Sequence, residues 1–378
     1  MPFFEFRQFA GKGRVAWEWN FETGRWESRR ANDIQPGMTL LIPQSAGGYR
    51  RDIGWTGDGK DRDFDVLSGS DDNDSLDADF LSGSQDWVSL ADHLADVEAE
   101  MREIVQAVGL QETPIGKAML TAAHWHDWGK SVSKWQDAVK NHIAKAIVKL
   151  DEVAQATAIP RFDEVASEWK ERLQSKDDVA ELWGKFPNFR AACLDSRLNL
   201  TEPERAKLSR KLKVPFRPNL RHEAASALAA WQAWLEKSDG LTALAVYLIA
   251  CHHGKVRTVL GSTMPTGGDV FGISDNMTLP PVPGFFVNAT PLRTDAKYVG
   301  ACGEWDDTHS SFTLTSPSWL QMMAELLGPK REGEPPTSEV ILENEPRELG
   351  PLALAYFEAL LRAADVRASR TPGKGGKS

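Results

Sequence analysis

The stretch Leu241-Thr242-Ala243-Leu244-Ala245-Val246-Tyr247-Leu248-Ile249-Ala250-Cys251 ends in two adjacent histidines, His252-His253, and this segment constrains the fold more than any other. Wound as a helix, it is apolar on nearly every face, and such a helix must be enclosed by other elements. The run is too short to span a bilayer, so no membrane partner is expected and the enclosure must be protein. Neighbouring segments supply the material. Leu90, Leu94, Val97, Met101, Ile104, Val105 and Val108 recur at three- and four-residue intervals, which predicts an amphipathic helix over 88–109. Helices are also expected over 115–128, where Gly129 suits the termination, and over 132–149, 223–235, 317–328 and 349–369. The expected fold class is mostly α: a helical bundle around residues 241–253.

The periphery reads differently. Residues 1–65 are expected to form a small β-rich N-terminal region. Val15 to Phe21 alternates bulky and polar residues, Glu22-Thr23-Gly24 supplies a turn before Arg25-Trp26-Glu27, and Met38 to Ile42 is a strand stopped by Pro43. Residues 66–86 read as a Ser/Asp/Gly-rich linker. A calcium loop starting at Asp71 is excluded because its sixth position is Leu76, where the sharp turn needs glycine. The main domain is expected over 87–370, with a charged, helical insertion at about 150–215 and a partly β insertion at about 258–345. Residues 371–378 read as a disordered tail.

Composition narrows the function classes. The net charge of −10 argues against binding nucleic acid by bulk charge, although Arg205, Lys207, Arg210, Lys211, Lys213, Arg217 and Arg221 form a local basic stripe. That stripe is either a phosphate-binding track or a solvated face. Cys193, Cys251 and Cys302 are isolated and odd in number, and the N-terminus lacks the order of a signal peptide, so a reducing, cytoplasmic location is expected. The chain has no G-x-x-x-x-G-K-[ST] loop, and motor activity is not expected of it.

The chemistry lies in scattered imidazoles and carboxylates. His124-Trp125-His126-Asp127-Trp128-Gly129-Lys130 is answered by His93, by Arg221-His222-Glu223, by His252-His253-Gly254 and by Asp365. Two adjacent histidines closing an apolar helix make poor core material, since both desolvated rings need partners. Asp365, within Leu360-Leu361-Arg362-Ala363-Ala364-Asp365-Val366, demands a partner for the same reason. A shared metal centre meets these needs together. Nitrogen and oxygen donors of this kind suit Mn, Ni, Co, Fe, Zn or Mg. A carboxylate between two imidazole sets can reach two ions about 3.5–4 Å apart, and Asp127 is the candidate bridge. Each residue taken alone has a plainer reading, as a satisfied core histidine or, for Lys130, a solvated surface lysine. His124 lies two positions before His126, about 200° round a helix, and reads as structural.

These residues in this order resemble the HD superfamily of metal-dependent phosphohydrolases, and within it the HD nuclease of type I CRISPR systems, in the subtype whose helicase precedes a C-terminal HD domain. The motifs are Leu90-Ala91-Asp92-His93-Leu94, His126-Asp127-Trp128-Gly129-Lys130, Trp135-Gln136 where the family has Phe-Gln, Arg221-His222-Glu223-Ala224-Ala225-Ser226, His252-His253-Gly254, and Asp365 with Ser369. The resemblance covers roughly residues 85–370. It implies two divalent metal ions (Mn, Ni, Co, Fe or Mg), one held by His93, His126, Asp127 and Asp365, the other by Asp127, His222, His252 and His253. Asp127 and Lys130 would be the catalytic pair, Lys130 as charge stabiliser near the scissile phosphate. The implied activity is endonucleolytic cleavage of single-stranded DNA, the strand displaced when a guide RNA pairs with its target. The implied partners are single-stranded DNA, a CRISPR helicase (fused or separate) and the guide-RNA surveillance complex. The rivals are an HD phosphohydrolase acting on nucleotides or cyclic nucleotides, and a catalytically inactive HD interaction module.

Overall fold

The structure is a computed structural model that describes residues 3–11, 16–20, 23–31, 34, 38–63, 86–175, 182–238, 240–253, 269–294, 303–306, 311–314, 317–328, 341–342 and 344–370. The tail at 371–378, nearly all of the linker at 66–86, Gly254, Cys302 and much of 258–345 lie outside the described residues. The fold is mostly helical, with small sheets. Helix α1 (Phe3–Ala10) precedes strands β1 (Ala16–Asn20), β2 (Arg25–Arg29) and β3 (Leu40–Leu41), which form an antiparallel sheet of order β2-β1-β3. Strands β4 (Tyr49–Arg50), β5 (Gly54–Trp55) and β6 (Arg62–Asp63) form a second sheet. Then follow β7 (Val88–Ser89), α2 (Leu90–Ala107), α3 (Pro114–Trp125), a 3-10 turn (Trp128–Ser131), α4 (Ser133–Ala156), α5 (Phe162–Gln174), β8 (Trp183–Lys185), α6 (Glu202–Lys211), α7 (His222–Leu235) and α8 (Ala243–Cys251). The chain closes with the hairpin-like pairs β9 (Thr278–Leu279) with β10 (Thr290–Pro291) and β11 (Gly303–Asp306) with β12 (Ser311–Leu314), then α9 (Trp319–Leu327) and α10 (Gly350–Arg370).

Helix α8 is the hub. Every one of its residues is buried, and it packs against α3, α7, α9 and α10, while α2 lies on α3 and α10. Burying each of Leu244, Val246, Leu248 and Ile249 stabilises the fold by roughly 1.5–3 kcal/mol. One polar tie crosses this core: Tyr247 of α8 donates a short hydrogen bond to Glu358 of α10, and both are buried. The helix starts are fixed locally. Ser89 accepts the Asp92 amide at 3.0 Å to cap α2, and Thr113 caps α3 with Pro114 in its first turn.

The N-terminal residues keep a separate small core of Phe6, Phe9, Ala10, Ala16, Ile34 and Ala46. Its sheets match the expected β character, but α1 does not. Phe6, Phe9 and Ala10 are spaced to bury one helical face, and Phe9 packs edge-on against Trp55 at 4.8 Å.

The stretch at 150–215 is helical in α5 and α6, and it also returns a strand to the bundle. β8 pairs antiparallel with β7, Val88 opposite Lys185, and the Leu90 amide donates to the Leu182 carbonyl at 2.9 Å. Gln136 fastens the strand from the other side: its amide nitrogen donates to the carbonyls of Lys130 and Trp183, and its oxygen accepts the Trp183 amide. β8 is thereby clamped between the first turn of α2 and the 3-10 turn.

Candidate metal centre

Five segments of the helical bundle converge on one place. His93 sits one turn into α2, and His126 and Asp127 link α3 to the 3-10 turn. His222 opens α7, His252 and His253 follow α8, and Asp365 lies in the last third of α10. Gly129 sets the approach of α7. A Cβ there would lie 2.0 Å from the His222 carbonyl oxygen, and the Gly129 amide donates to Ser226 Oγ at 2.8 Å. The expected role of Gly129 in ending α3 is therefore corrected: that helix stops at Trp125, and the glycine is needed for close packing instead.

Two groups of candidate ligands result, each with its donor atoms within 4.8 Å of one another: His93, His126, Asp127 and Asp365, and Asp127, His222, His252 and His253. His93 Nε2 lies 3.0 Å from Asp127 Oδ2 and 3.2 Å from Asp365 Oδ1. On the other side, His222 Nε2 is 3.2 Å from Asp127 Oδ1 and 2.9 Å from His253 Nε2. Asp127 is common to both groups, one oxygen facing each.

The donor state of the rings fits metal ligation. His126 Nδ1 donates to the Ala123 carbonyl at 2.8 Å, and His252 Nδ1 donates to the Ile249 carbonyl at 2.7 Å. A carbonyl can only accept, so in the neutral ring each Nε2 presents a lone pair. Both Nε2 atoms and Asp127 Oδ1 are buried without a hydrogen bond, although neighbouring polar atoms lie 3.2–3.6 Å away. Atoms this close but misaligned for hydrogen bonding do not satisfy each other, and each lies within its own group of candidate ligands. Leaving three such atoms buried is costly for a protein with no ion to hold, so the residues fit a metal centre.

Electrostatics agree at Asp127, Asp365 and His126, whereas at His252 burial is outweighed by the Asp127 carboxylate, which raises that ring. Burial alone would raise the Asp127 carboxyl, but Lys130, His126 and His222 outweigh it and hold the group well below the usual carboxylate range. Asp365 follows the same balance, with Lys185 and His93 overcoming burial. Burial lowers His126 despite Asp127, which keeps that ring neutral and able to ligate.

Lys130 is no surface residue. The residue is 1% exposed, and its ammonium lies 2.7 Å from Asp127 Oδ2, 3.3 Å from the Gly184 carbonyl and 5.6 Å from the centre of the Trp135 ring. His124 points elsewhere, 3.3 Å from Glu98 Oε2 and against Phe285 and Phe286. His142 lies among Phe186, Phe189 and Phe216, away from the ligands, and His309 falls outside the described residues. Ser369 Oγ donates to the Asp365 carbonyl at 2.8 Å and so steadies the helix rather than the centre.

One site residue escapes the sequence reading. Lys185 of β8 is 4% exposed, and its Nζ is 3.1 Å from Asp365 Oδ1. A signal was present: Trp183-Gly184-Lys185 repeats the tripeptide Trp128-Gly129-Lys130. Both glycines are close approaches, since a Cβ on Gly184 would lie 2.9 Å from His93 Cβ. Both lysines end on a ligand carboxylate.

Comparison of the chain with family models, with curated proteins and with solved structures finds no match. Among the described residues no helix is long and apolar enough to cross a membrane.

Proposed function

We propose that this chain is a metal-dependent phosphodiesterase of the HD superfamily: a cytoplasmic nuclease that cuts single-stranded DNA exposed by guide-RNA pairing, working with a helicase and a guide-RNA surveillance complex. The observation that carries the reading is Asp127, whose Oδ2 approaches His93 while its Oδ1 approaches His222, so that one carboxylate serves two donor sets. Divalent ions such as Mn, Ni, Co, Fe or Mg, when bound there, supply the Lewis acidity that activates water and stabilises a leaving oxygen.

The chain's own residues do the rest. His126 and His252 are held in the ligating tautomer by carbonyls of their own helices, so no reorientation is needed on loading. Lys130 adds a fixed positive charge beside Asp127 where an anionic phosphodiester would gather negative charge. Access favours the side of His222 and His253, which are partly exposed while the other ligands are buried.

A polymeric substrate is supported by a cleft of about 970 Å³ against the first turn of α2, lined by Trp87, Trp183, Phe286 and Arg172. Aromatic faces there suit unpaired bases, which stack without sequence preference. Cys193 and Cys251, buried and outside any disulfide, suit a reducing compartment. Metal-loaded protein assayed on circular single-stranded DNA, and on a panel of nucleotides and cyclic nucleotides, tests the reading. Cleavage of the circle is expected. Turnover of nucleotides alone would redirect the assignment to a nucleotide phosphohydrolase, and turnover of neither would favour an interaction module.

A further inference from the structure

The closed group of ligands contains more fixed positive charge than metal ligation requires. Lys130 and Lys185 are both buried, and each places its ammonium on a different ligand carboxylate, 2.7 Å from Asp127 Oδ2 and 3.1 Å from Asp365 Oδ1. His93 Nε2 touches the same two oxygens, at 3.0 and 3.2 Å. The result is a continuous buried row, Lys130–Asp127–His93–Asp365–Lys185. One strand holds both ends of it, because the Gly184 carbonyl accepts from Lys130 and the next residue is Lys185 itself. Two ammoniums and two carboxylates in one buried cluster balance without any ion.

A buried carboxylate without a partner is costly, and the protein must fold before it is loaded. A dication arriving at His93 and Asp365 meets an ammonium already on the oxygen it would take, and like charges at such distances in a low-dielectric interior repel strongly. We infer that Lys185 is the built-in counter-ion of Asp365: it neutralises that carboxylate in the metal-free protein and yields Asp365 Oδ1 when an ion is taken up. The inference rests on the metal-centre reading and goes beyond it. Lys185 is thereby a positioning residue that stabilises the empty fold at the expense of metal affinity. A residue that merely orients Asp365 for the metal would have the opposite effect on that affinity.

The test uses the purified full chain, Mn(II) as the probe, calorimetric titration for affinity and stoichiometry, and thermal melts in chelator and in Mn(II). Lys185→Met should melt several degrees lower than wild type in chelator, yet bind Mn(II) in the tighter-responding site by a factor of about ten or more, because a repelling charge a few ångströms away is gone. Lys185→Arg, which keeps the charge, should bind no more tightly than wild type. Unchanged or weaker binding by Lys185→Met would overturn the inference, as would equal weakening in both variants. If Lys185→Met is unfolded in chelator, refolding on addition of Mn(II) supports the counter-ion role, and failure to refold refutes it. Wild-type protein that binds no Mn(II) at all would instead bring down the metal-centre reading itself.

Discussion

The two halves of the candidate centre share Asp127 but meet solvent differently. In the closed half, His93, His126, Asp127 and Asp365 are all buried, whereas in the open half His222 and His253 are partly exposed. The closed half carries its own cations, Lys130 and Lys185. Behind the open half stand rings: Trp135 is 6.4 Å from His222 and 5.7 Å from Phe216. The difference teaches where the constraint of burial falls. Carboxylates withdrawn from water need compensating charge built into the fold, while imidazoles at a partly open rim can also draw on water.

Removing the shared residue should have the largest effect. Asp127→Ala takes a ligand from both halves and strips Lys130 of its carboxylate. Elemental analysis should find both ions lost, and chelator melts should show about 3–5 kcal/mol less stability, the usual cost of leaving a buried charge unpaired. Retention of one full equivalent of metal would break the sharing on which the comparison stands.

Single-half variants sharpen the contrast. Asp365→Ala and His253→Ala should each lose one equivalent of metal, but they should differ in the metal-free protein. Asp365→Ala leaves Lys185 buried without its carboxylate and should cost about 3–5 kcal/mol, while His253→Ala at the rim should cost about 1 kcal/mol. Equal destabilisation of the two, read from urea melts in chelator, would show that the halves are not compensated in different ways.

The apolar backing of the open half offers a pH test. His142 packs 5.4 Å from Phe186 and 5.6 Å from Phe216, and burial pushes its ring down to about 4 from 6.5 despite a bond to the Pro215 carbonyl. Between those values the unfolded chain binds the extra proton and the folded one does not, so stability rises with pH across that window and is lost as pH falls from 6.5 to about 4. The shift corresponds to about 3 kcal/mol, as an order of magnitude. His142→Phe should flatten that part of the stability profile in chelator. An unchanged slope would place the titration elsewhere.

What was legible in the sequence were polar residues where apolar ones belonged. His252-His253 stand out because α8 is buried throughout, and Asp365 because it shares the buried face of α10 with Leu361, Ala364 and Ala368; the 3.6-residue period located both helices within a few residues. Lys185 was not legible in that way. It lies in a charged stretch where one more lysine carries no contrast, and its burial depends on β8 pairing with β7, a contact nearly a hundred residues apart in sequence. Gly129 was legible as a glycine but not for its reason, because the His222 carbonyl that excludes a side chain arrives from another helix. Local pattern reports what a residue is among, whereas these two depend on what folds back onto them.

His124 supplies the smallest expected effect and the sharpest control. It is the first histidine of the densest cluster in the sequence, two positions from a ligand, and yet it belongs to neither half. Its helix turns it toward Glu98, 3.3 Å away on α2, and that bond, with burial opposing it, lowers the Glu98 carboxyl. Both side chains are about a third exposed, and a polar contact of that kind at the surface is worth only about 0.2–1 kcal/mol. His124→Ala should therefore keep both metal equivalents, the wild-type response to Mn(II) and nearly all of its stability. Loss of an ion in this variant would mean that the boundary of the centre has been drawn one helical face too narrow, and that the rim reaches round α3 toward Phe285 and Phe286, the rings on which His124 packs.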